Sequence, residues 1–289
     1  MILEVFFDPK HINKNTHLLV LLGFIYSSLS LFLALIAFRE YASIVMVFFT
    51  VMAVMPLIYA SIKHEESVDI VLTSEREILK EHAKTLKKFM LVFLGIVLSF
   101  SFWYAVLPGS ITDEVFEAQV NTINRINAPR GTGQITGQVI AERFPIFMHI
   151  LMNNIVVLVF CLIFSFLFGL GAIFILAWNA SVIGAAIGMI FSQGFATASE
   201  FTGIIKPISY FQVISYGLLR FALHGIPEIL GYFVGGLAGA IICFGVVKHD
   251  YKSPKFHKVL YDAMDLVLIS ILFIFLAAIL EVYVTPFLF

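Results

Sequence analysis

The stretch IFMHILMNNIVVLVFCLIFSFL, from Ile146 to Leu167, decides the fold class of this protein. It contains no aspartate, glutamate, lysine or arginine. Its length matches the roughly 20 apolar residues that an α-helix needs to cross about 30 Å of hydrocarbon. Its apolar residues are continuous, whereas the strands of a membrane β-barrel alternate between apolar and polar residues. The stretch therefore predicts a transmembrane helix.

The composition of the whole chain extends this prediction. Of its 289 residues, 60% are hydrophobic and 13% are charged, and the mean hydropathy is +0.98. A soluble domain of this size cannot hide so much apolar surface, because its exterior must carry many polar groups. The net charge of −1 gives no basis for a nucleic-acid partner. We therefore predict an all-α, polytopic bundle in the cell membrane, with the lipid bilayer as its main partner.

Apolar runs of similar length recur along the chain and predict about seven spans within a single integral membrane domain, residues 1–289. The predicted spans are Leu18–Phe38, Ala42–Ile62, Phe89–Leu107, Ile146–Leu167, Leu170–Phe191, Pro227–Val247 and Val259–Val282. A further run, Ile208–Leu223, is shorter and contains Arg220. If this run does not cross, most lysines and arginines fall on one side of the membrane, as the positive-inside rule requires. We therefore predict a re-entrant or interfacial segment there, a cytoplasmic N-terminus and an outer C-terminus; eight spans remain the alternative.

Two polar segments between spans are candidate surfaces for protein partners. Residues 63–88 have apolar residues near heptad spacing and run without a breaker into the third span, which predicts a cytoplasmic helical connector. Residues 108–145 form the predicted outer loop, in which Ser110 is a candidate N-cap of an interfacial helix ending at Asn127. We assign docking roles to residues 63–88 and 110–143; for residues 63–88 the alternative is a solvated connector.

Polar side chains within or beside the spans are the candidate functional residues, because such groups are costly in hydrocarbon. With the adjoining glycine they are His149, Asn153, Asn154, Asn179, His224, Gly225 and Glu228. We predict a helix break at Gly225, with Pro227 opening the sixth span and Glu228 stabilised by the helix dipole of its first turn. These groups either hydrogen-bond one another and the backbone freed at the break, or they serve ion or proton passage.

A metal centre is a further interpretation of the same residues. His149, His224 and Glu228 are the candidate ligands, but their spacing lacks the second histidine of the H-E-x-x-H motif. Cys161 and Cys243 lie inside apolar runs and form no C-x-x-C pattern. The sequence also contains no nucleophile elbow, P-loop or dinucleotide fingerprint. We therefore predict no metal, no cofactor and no catalytic residue.

Glycines at four-residue spacing form a second pattern within the fifth and sixth spans. They are Gly184, Gly188, Gly231, Gly235 and Gly239. Such rows of small residues let helix backbones approach closely. We predict that they pack helices within the protomer; the alternative is a homo-oligomer interface.

Four pieces of the sequence, in this order and spacing, resemble the stage II sporulation protein M family. They are ILMNNIVVL at Ile150–Leu158, FGLG at Phe168–Gly171, NASVIGAA at Asn179–Ala186 and LHGIPE at Leu223–Glu228. A glycine-rich span follows the last piece, and together they cover about residues 144–247. The resemblance implies a membrane protein of the cell envelope.

The resemblance also sets expectations about function. In spore-forming bacteria the family works with peptidoglycan-remodelling enzymes during engulfment, and it also occurs in bacteria and archaea that never sporulate. We expect a member of this second kind. The positions that match the family's motifs are Asn153, Asn154, His224, Gly225 and Glu228, and the family gives them no established catalytic role.

The sequence leaves three functional hypotheses. The first is a non-enzymatic membrane scaffold that anchors partner proteins, in which the intramembrane polar residues brace the bundle. The second is a transporter or channel, in which the same residues face a hydrated cavity. The third is an intramembrane metalloenzyme.

Overall fold

The computed structural model describes residues 17–69, 75–127, 139–168, 171–203, 205–248 and 254–288. The side chains of residues 59–85 and 126–142 lie outside the described set. The helices are α1 His17–Ala37, α2 Ala42–Asp69, α3 Glu75–Val106, α4 Gly109–Val115, α5 Glu117–Asn127, α6 Val139–Phe168, α7 Ala172–Ser199, α8 Ile205–Lys248, α9 Pro254–Ile279 and α10 Thr285–Leu288. A 3₁₀ turn at Arg39–Tyr41 joins α1 to α2, and a π-helical turn at Leu280–Val284 joins α9 to α10. The described residues contain no strand.

The predicted all-α, seven-span fold class is confirmed. The helices long and apolar enough to cross a membrane are found within the described residues at His17–Ala37, Arg39–Ile58, Leu86–Val106, Arg143–Leu167, Ala172–Ser199, Ile205–Cys243 and Val259–Leu288. The chain is therefore a multi-pass membrane protein. The orientation of its termini stays a prediction.

The predicted break before the sixth span is wrong. Helix α8 runs without interruption from Ile205 to Lys248, through both Gly225 and Pro227. Among the described residues Gly203 is the only one with a positive φ, so Gly225 has no special backbone conformation. The 44 residues of α8 extend about 66 Å at 1.5 Å per residue, roughly twice the hydrocarbon thickness. Residues 208–223 therefore continue the sixth helix and do not form a re-entrant segment.

The contacts divide the chain into two compact units. The first contains Met1–Asn121 and Ala177–Ser192, and the second contains Thr122–Leu176 and Gln193–Phe289. Helix α7 contributes to both. The single-domain description, residues 1–289, stays a prediction, and each unit is described below by itself.

Close glycine contacts hold the first unit together. A Cβ on Gly23 would collide with the carbonyl oxygen of Val92, and one on Gly95 with that of Val20, so α1 and α3 touch backbone to backbone. One turn further along, the Trp103 indole donates a hydrogen bond to Ser28 Oγ at 2.8 Å. Because helical backbones can approach this closely only at small residues, these glycines set the spacing of the two helices.

Helix α4 and the first residues of α5, up to Asn121, belong to the first unit. Helix α4 begins at Gly109 after Pro108, and no side-chain cap bond is made there, so the predicted N-cap role of Ser110 is wrong. Pro108 is itself the N-cap, so the helix begins two residues too early for Ser110 to cap it. Phe116, between α4 and α5, is fully buried and packs against the rings of Phe100 and Tyr104.

An ion pair ties the start of the second span to α4. The Arg39 guanidinium donates hydrogen bonds to both carboxylate oxygens of Glu114, at 2.8 and 3.1 Å. This hydrogen-bonded pairing lowers the pKa of Glu114. Both side chains are exposed, so the pair contributes little stability.

In the second unit α6, α8 and α9 pack side by side. A Cβ built on Gly235 would meet Leu158, and one built on Gly239 would meet Leu162. Residue numbers therefore rise together on α6 and α8, so the two helices run in the same direction. Ser270 of α9 donates a 2.6 Å hydrogen bond to the carbonyl of Gly231, while Thr285 lies 3.5 Å from His224. Helix α9 is therefore antiparallel to α8, as alternating spans require.

Candidate functional site

Ionisable side chains meet at one end of the second unit. Helix α8 places His224, Glu228 and Tyr232 one turn apart on a single face, because residues four apart lie above one another. The π-helical turn after α9 brings Glu281 to the same end. Helix α6 contributes Arg143 from the start of the fourth span. We call these five residues the carboxylate cluster.

Glu228 is the centre of the carboxylate cluster. Its Oε1 accepts a hydrogen bond from the Tyr232 hydroxyl at 2.9 Å. Tyr232 is 1% exposed, and its ring carries this hydroxyl into the interior of the unit. Glu281 lies close enough for the two carboxylates to interact electrostatically. Two carboxyl groups, on α8 and on the π-helical turn, therefore interact at this end of the second unit.

The π-helical turn that carries Glu281 is held from two sides. Arg143 Nη1 donates to the carbonyl oxygen of Val282 at 3.2 Å. Thr285 Oγ1 donates to the carbonyl oxygen of Leu280 at 2.9 Å. The Leu280 carbonyl also accepts the Thr285 backbone N–H. Pro286, four residues after Val282, has no N–H to donate to the Val282 carbonyl. π-Helical turns are rare and occur frequently at functional sites.

His224 lies one turn before Glu228, near the end of the cluster. Its Nδ1 is 3.5 Å from Thr285 Oγ1, and its ring lies 5.9 Å from that of Phe221. Thr285 thus touches both the histidine and the π-helical turn.

The arrangement suits the binding of a proton or a small cation. Two carboxylates close together in a low-dielectric interior repel each other, and a positive charge held between them removes the repulsion. Within the described part of the chain, no group of three or more His, Cys, Asp or Glu side chains is placed to hold a metal ion. The metal interpretation, with His149, His224 and Glu228 as ligands, therefore gains no support from the geometry.

The predicted polar residues of the fourth span separate into two sets. His149 and Asn153 are exposed, whereas Asn154 is 4% exposed. Asn153 Nδ2 lies 3.5 Å from Asn154 Oδ1, and Asn154 Nδ2 has no hydrogen-bond partner among the described residues. Because Leu158 contacts the position of Gly235, Asn154 lies level with Gly231, one turn earlier on both helices. Only Asn154 of this set therefore faces the interior near the cluster.

The two remaining predicted site residues have different surroundings. Asn179 is half-buried and belongs to the first unit, whereas His224 and Glu228 belong to the second. Gly225 is buried within α8, and a Cβ built on it would meet nothing within 4 Å. The glycine is thus required neither for a break nor for close packing.

The five packing glycines all lie against neighbouring helices of their own unit. A Cβ would be 2.7 Å from the Cβ of Phe100 at Gly184, and 2.5 Å from that of Tyr104 at Gly188. In the second unit the corresponding partners are Ile274 for Gly231, Leu158 for Gly235 and Leu162 for Gly239. Their faces are therefore occupied within the chain, and the oligomeric state stays open.

Sequence reasoning missed Glu281, Tyr232 and Arg143. Glu281 is an isolated carboxylate inside the last apolar run, and its cost in hydrocarbon was a usable signal. Tyr232 lies four residues after Glu228, which is the spacing of side chains that meet on a helix. Pro286 cannot donate to the Val282 carbonyl and so signals irregular backbone before it, but the contact of Arg143 with that carbonyl depends on tertiary packing.

Comparison with known proteins places these residues in a family context. The model of the family described as stage II sporulation protein M matches residues 90–286, which include the whole carboxylate cluster. The chain is also 31% identical over 170 residues to an uncharacterized protein of Methanocaldococcus jannaschii, covering 58% of this chain and 83% of that protein. No solved structure matches the chain. The resemblance seen over residues 144–247 thus extends to the third span and nearly to the end of the seventh.

Proposed function

Since the chain belongs to the stage II sporulation protein M family, and its helices make it a multi-pass membrane protein, we propose that it transports a proton or a small monovalent cation. The binding site is the pair of carboxylates, Glu228 and Glu281. The observation that carries this proposal is the hydrogen bond from the buried Tyr232 hydroxyl to Glu228 on a membrane helix, with Glu281 of the neighbouring span within electrostatic reach.

A purely structural role explains this cluster poorly. Bracing two helices needs a hydrogen-bond donor and an acceptor, and an amide would supply both without a charge. Two facing carboxylates instead destabilise the unit unless a positive charge joins them. Ionisable groups inside membrane spans characteristically mark ion pathways and proton relays. The cluster therefore favours cation binding over bracing.

The scaffold and enzyme hypotheses stay predictions. The docking segment 63–88 has most of its side chains outside the described residues, and so does the later half of segment 110–143. Helix α3 does run without interruption from Glu75 into the third span. Residues 110–121 belong to the first unit, where Phe116 is fully buried, so this part of the segment offers a smaller surface to a partner.

Flux measurements on the full chain in proteoliposomes test the proposal. One arm imposes a proton gradient and follows a pH-sensitive dye inside the vesicles; the other imposes a sodium gradient and follows sodium entry. We expect flux in one arm, and a loss of at least tenfold (about 1.4 kcal/mol in rate) in Glu228→Gln and in Glu281→Gln. Asp265→Asn is the matched control, because Asp265 is an exposed carboxylate on the same span as Glu281.

Two results would contradict the proposal. One is flux no greater than that of empty vesicles in both arms, measured on protein that elutes as a single folded species. The other is a flux that Glu228→Gln and Glu281→Gln leave unchanged. The arm that responds identifies the cargo as a proton or as an alkali cation.

A further inference from the structure

Gly225 is buried within α8, yet open space lies beside it. A Cβ built on this glycine would meet no atom of the described residues within 4 Å. The buried glycines Gly184, Gly231 and Gly235 differ, because a Cβ on each of them would lie under 3.0 Å from a neighbouring side chain. A space at least as large as a methyl group therefore adjoins α8 in the interior of the second unit.

Stability alone favours alanine at this position. Alanine has a higher helix propensity than glycine, because glycine loses more backbone entropy on folding. A methyl group would also gain contacts with lining atoms that lack a partner on that side. Neither a helix break nor close packing requires glycine there. The open space itself is therefore the property that Gly225 provides.

Polar side chains surround this space. The Glu228 side chain leans toward it, because helical side chains point back over the turn before their own Cα, and Gly225 is three residues earlier. Tyr232 shares the face of Gly225, two turns further along, and its hydroxyl donates to Glu228 Oε1 at 2.9 Å. At the preceding residue, His224 Nδ1 lies 3.5 Å from the Thr285 hydroxyl oxygen. A small molecule in the space is therefore within reach of carboxyl and hydroxyl oxygens.

The chemistry of these groups suits a water molecule. A polar space of this kind takes up a water that bonds roughly two to four groups, whereas an apolar space stays dry. The Glu228 carboxylate can accept about four hydrogen bonds, and Tyr232 supplies one of them. Bulk water is excluded from the hydrocarbon layer, so the remaining acceptor sites of Glu228 need a donor held inside the protein.

We propose that the space beside Gly225 binds one water molecule, which donates a hydrogen bond to Glu228. Glycine is required because a methyl group in this position would displace the water. The role of this water rests on the proposed function. A hydronium ion at this place gives one proton to the Glu228 carboxylate and remains as water, whereas an alkali cation keeps the water as one of its ligands. Gly225 is thus a specificity-determining residue, since it sets the size of the species that reaches Glu228.

Radiolytic labelling of the reconstituted full chain tests for this water without any transport measurement. X-rays split water into hydroxyl radicals, which label the side chains that touch it, and water enriched in a heavy oxygen isotope makes the label distinct. The readout is the heavy oxygen taken up by the buried Tyr232 ring, measured by mass spectrometry. Phe100, a fully buried ring of the first unit, gives the background. We expect Tyr232 to be labelled above this background in wild type, and the excess to be lost in Gly225→Ala.

Gly109→Ala is the matched control. A Cβ on Gly109 also meets nothing within 4 Å, but this residue is exposed and lies in α4 of the first unit. The control variant should keep the label on Tyr232 and the flux of wild type. Gly225→Ala should lose flux by about tenfold or more, while its unfolding midpoint in SDS stays at or above that of wild type.

Three results would overturn the inference. The first is Tyr232 labelled no more than Phe100 in wild type, which would mean that no water lies there. The second is equal labelling of Tyr232 in Gly225→Ala and in wild type, because the water would then lie elsewhere. The third is a Gly225→Ala chain that unfolds clearly below wild type, since the methyl group would then collide with its neighbours.

The flux measurement separates this inference from the transport proposal. A chain that carries no ion but shows the expected labelling would refute transport alone and leave the water site. An unchanged flux in Gly225→Ala, with the label on Tyr232 lost, would refute the role of the water in transport.

Discussion

Replacing Gly239 with alanine tests how the sixth span packs against the fourth. A Cβ at this position would lie 2.5 Å from the carbonyl oxygen of Leu162 and 2.9 Å from the Cβ of Ser165. Ordinary carbon contacts lie at about 3.5–4.0 Å, so the two helices would have to separate by roughly 1 Å. Because the closest atom belongs to the backbone, no side-chain rotation can relieve the collision.

Gly225→Ala on the same helix is the matched control. A Cβ there meets nothing within 4 Å, and the backbone is helical. Both substitutions gain the helix propensity of alanine, worth about 0.8–1 kcal/mol in water. That gain cancels in a comparison of the two variants. The remaining difference is the overpacking cost, about 1–3 kcal/mol, by which Gly239→Ala should be the less stable variant.

Equilibrium unfolding in mixed micelles measures this difference. The fraction of SDS is raised at constant total detergent, and helicity is followed by circular dichroism. We expect Gly225→Ala to unfold at or slightly above the wild-type midpoint, and Gly239→Ala clearly below it. Equal midpoints for the two variants would refute the close approach of α6 and α8 at this level.

Three further predictions concern buried and paired polar groups. Arg39 lowers the pKa of Glu114 in the folded protein, so the ion pair stabilises the fold above the unfolded carboxyl pKa of about 4.3. This stabilisation should be lost as the pH falls through the pKa of Glu114 in the folded protein. Below that pH, wild type and Glu114→Gln should unfold at the same midpoint. Gln119 is fully buried and donates two hydrogen bonds, so Gln119→Glu should lower the free energy of unfolding by more than about 2 kcal/mol. Gln193 is exposed, and Gln193→Glu should change the free energy of unfolding in SDS by less than about 0.5 kcal/mol. Glu228→Gln keeps an acceptor for its tyrosine partner and removes one of two facing charges, so its thermal midpoint should equal or exceed that of wild type; a fall of several degrees would favour the bracing role instead.

The sequence predicted what long apolar runs determine by themselves. The stretch Ile146–Leu167 and its counterparts gave the fold class and the number of spans, because hydrocarbon thickness fixes helix length. The predicted helix break at Gly225 and Pro227 was wrong, although the local propensities of glycine and proline favour a break there. In a membrane, neighbouring helices and side chains can satisfy the carbonyls that a proline frees, so the helix continued.

The carboxylate cluster could be predicted only in part. His224 and Glu228 stand out in the sequence because they are polar residues at the edge of an apolar run, where such side chains are costly, and because they are four residues apart. The partner of Glu228 across the helix interface depends on the register of α8 against the seventh span, and that register is set by contacts such as Ser270 with Gly231. Pro286 is a local signal for irregular backbone at Leu280–Val284, but it does not reveal which side chains meet there.

The backbone contact of α1 with α3 was missed for a related reason. Gly23 and Gly95 each occur singly in their spans, without a second glycine four residues away. The rows at Gly231, Gly235 and Gly239 were visible as a repeated pattern. A single glycine opposite another on a different helix becomes apparent only when the two helices are aligned.

We expect Glu228 and Glu281 to take up a cation together. Charge movement in proteoliposomes adsorbed on a solid-supported membrane measures this step directly, because binding within the membrane moves charge even when turnover is slow. A rapid drop in pH, or a jump in sodium concentration, should produce a transient current in the wild type. The account predicts that this current disappears in Glu228→Gln and in Glu281→Gln and persists in Asp265→Asn. A wild-type current equal to that of empty vesicles, or one that survives neutralisation of both carboxylates, would contradict it.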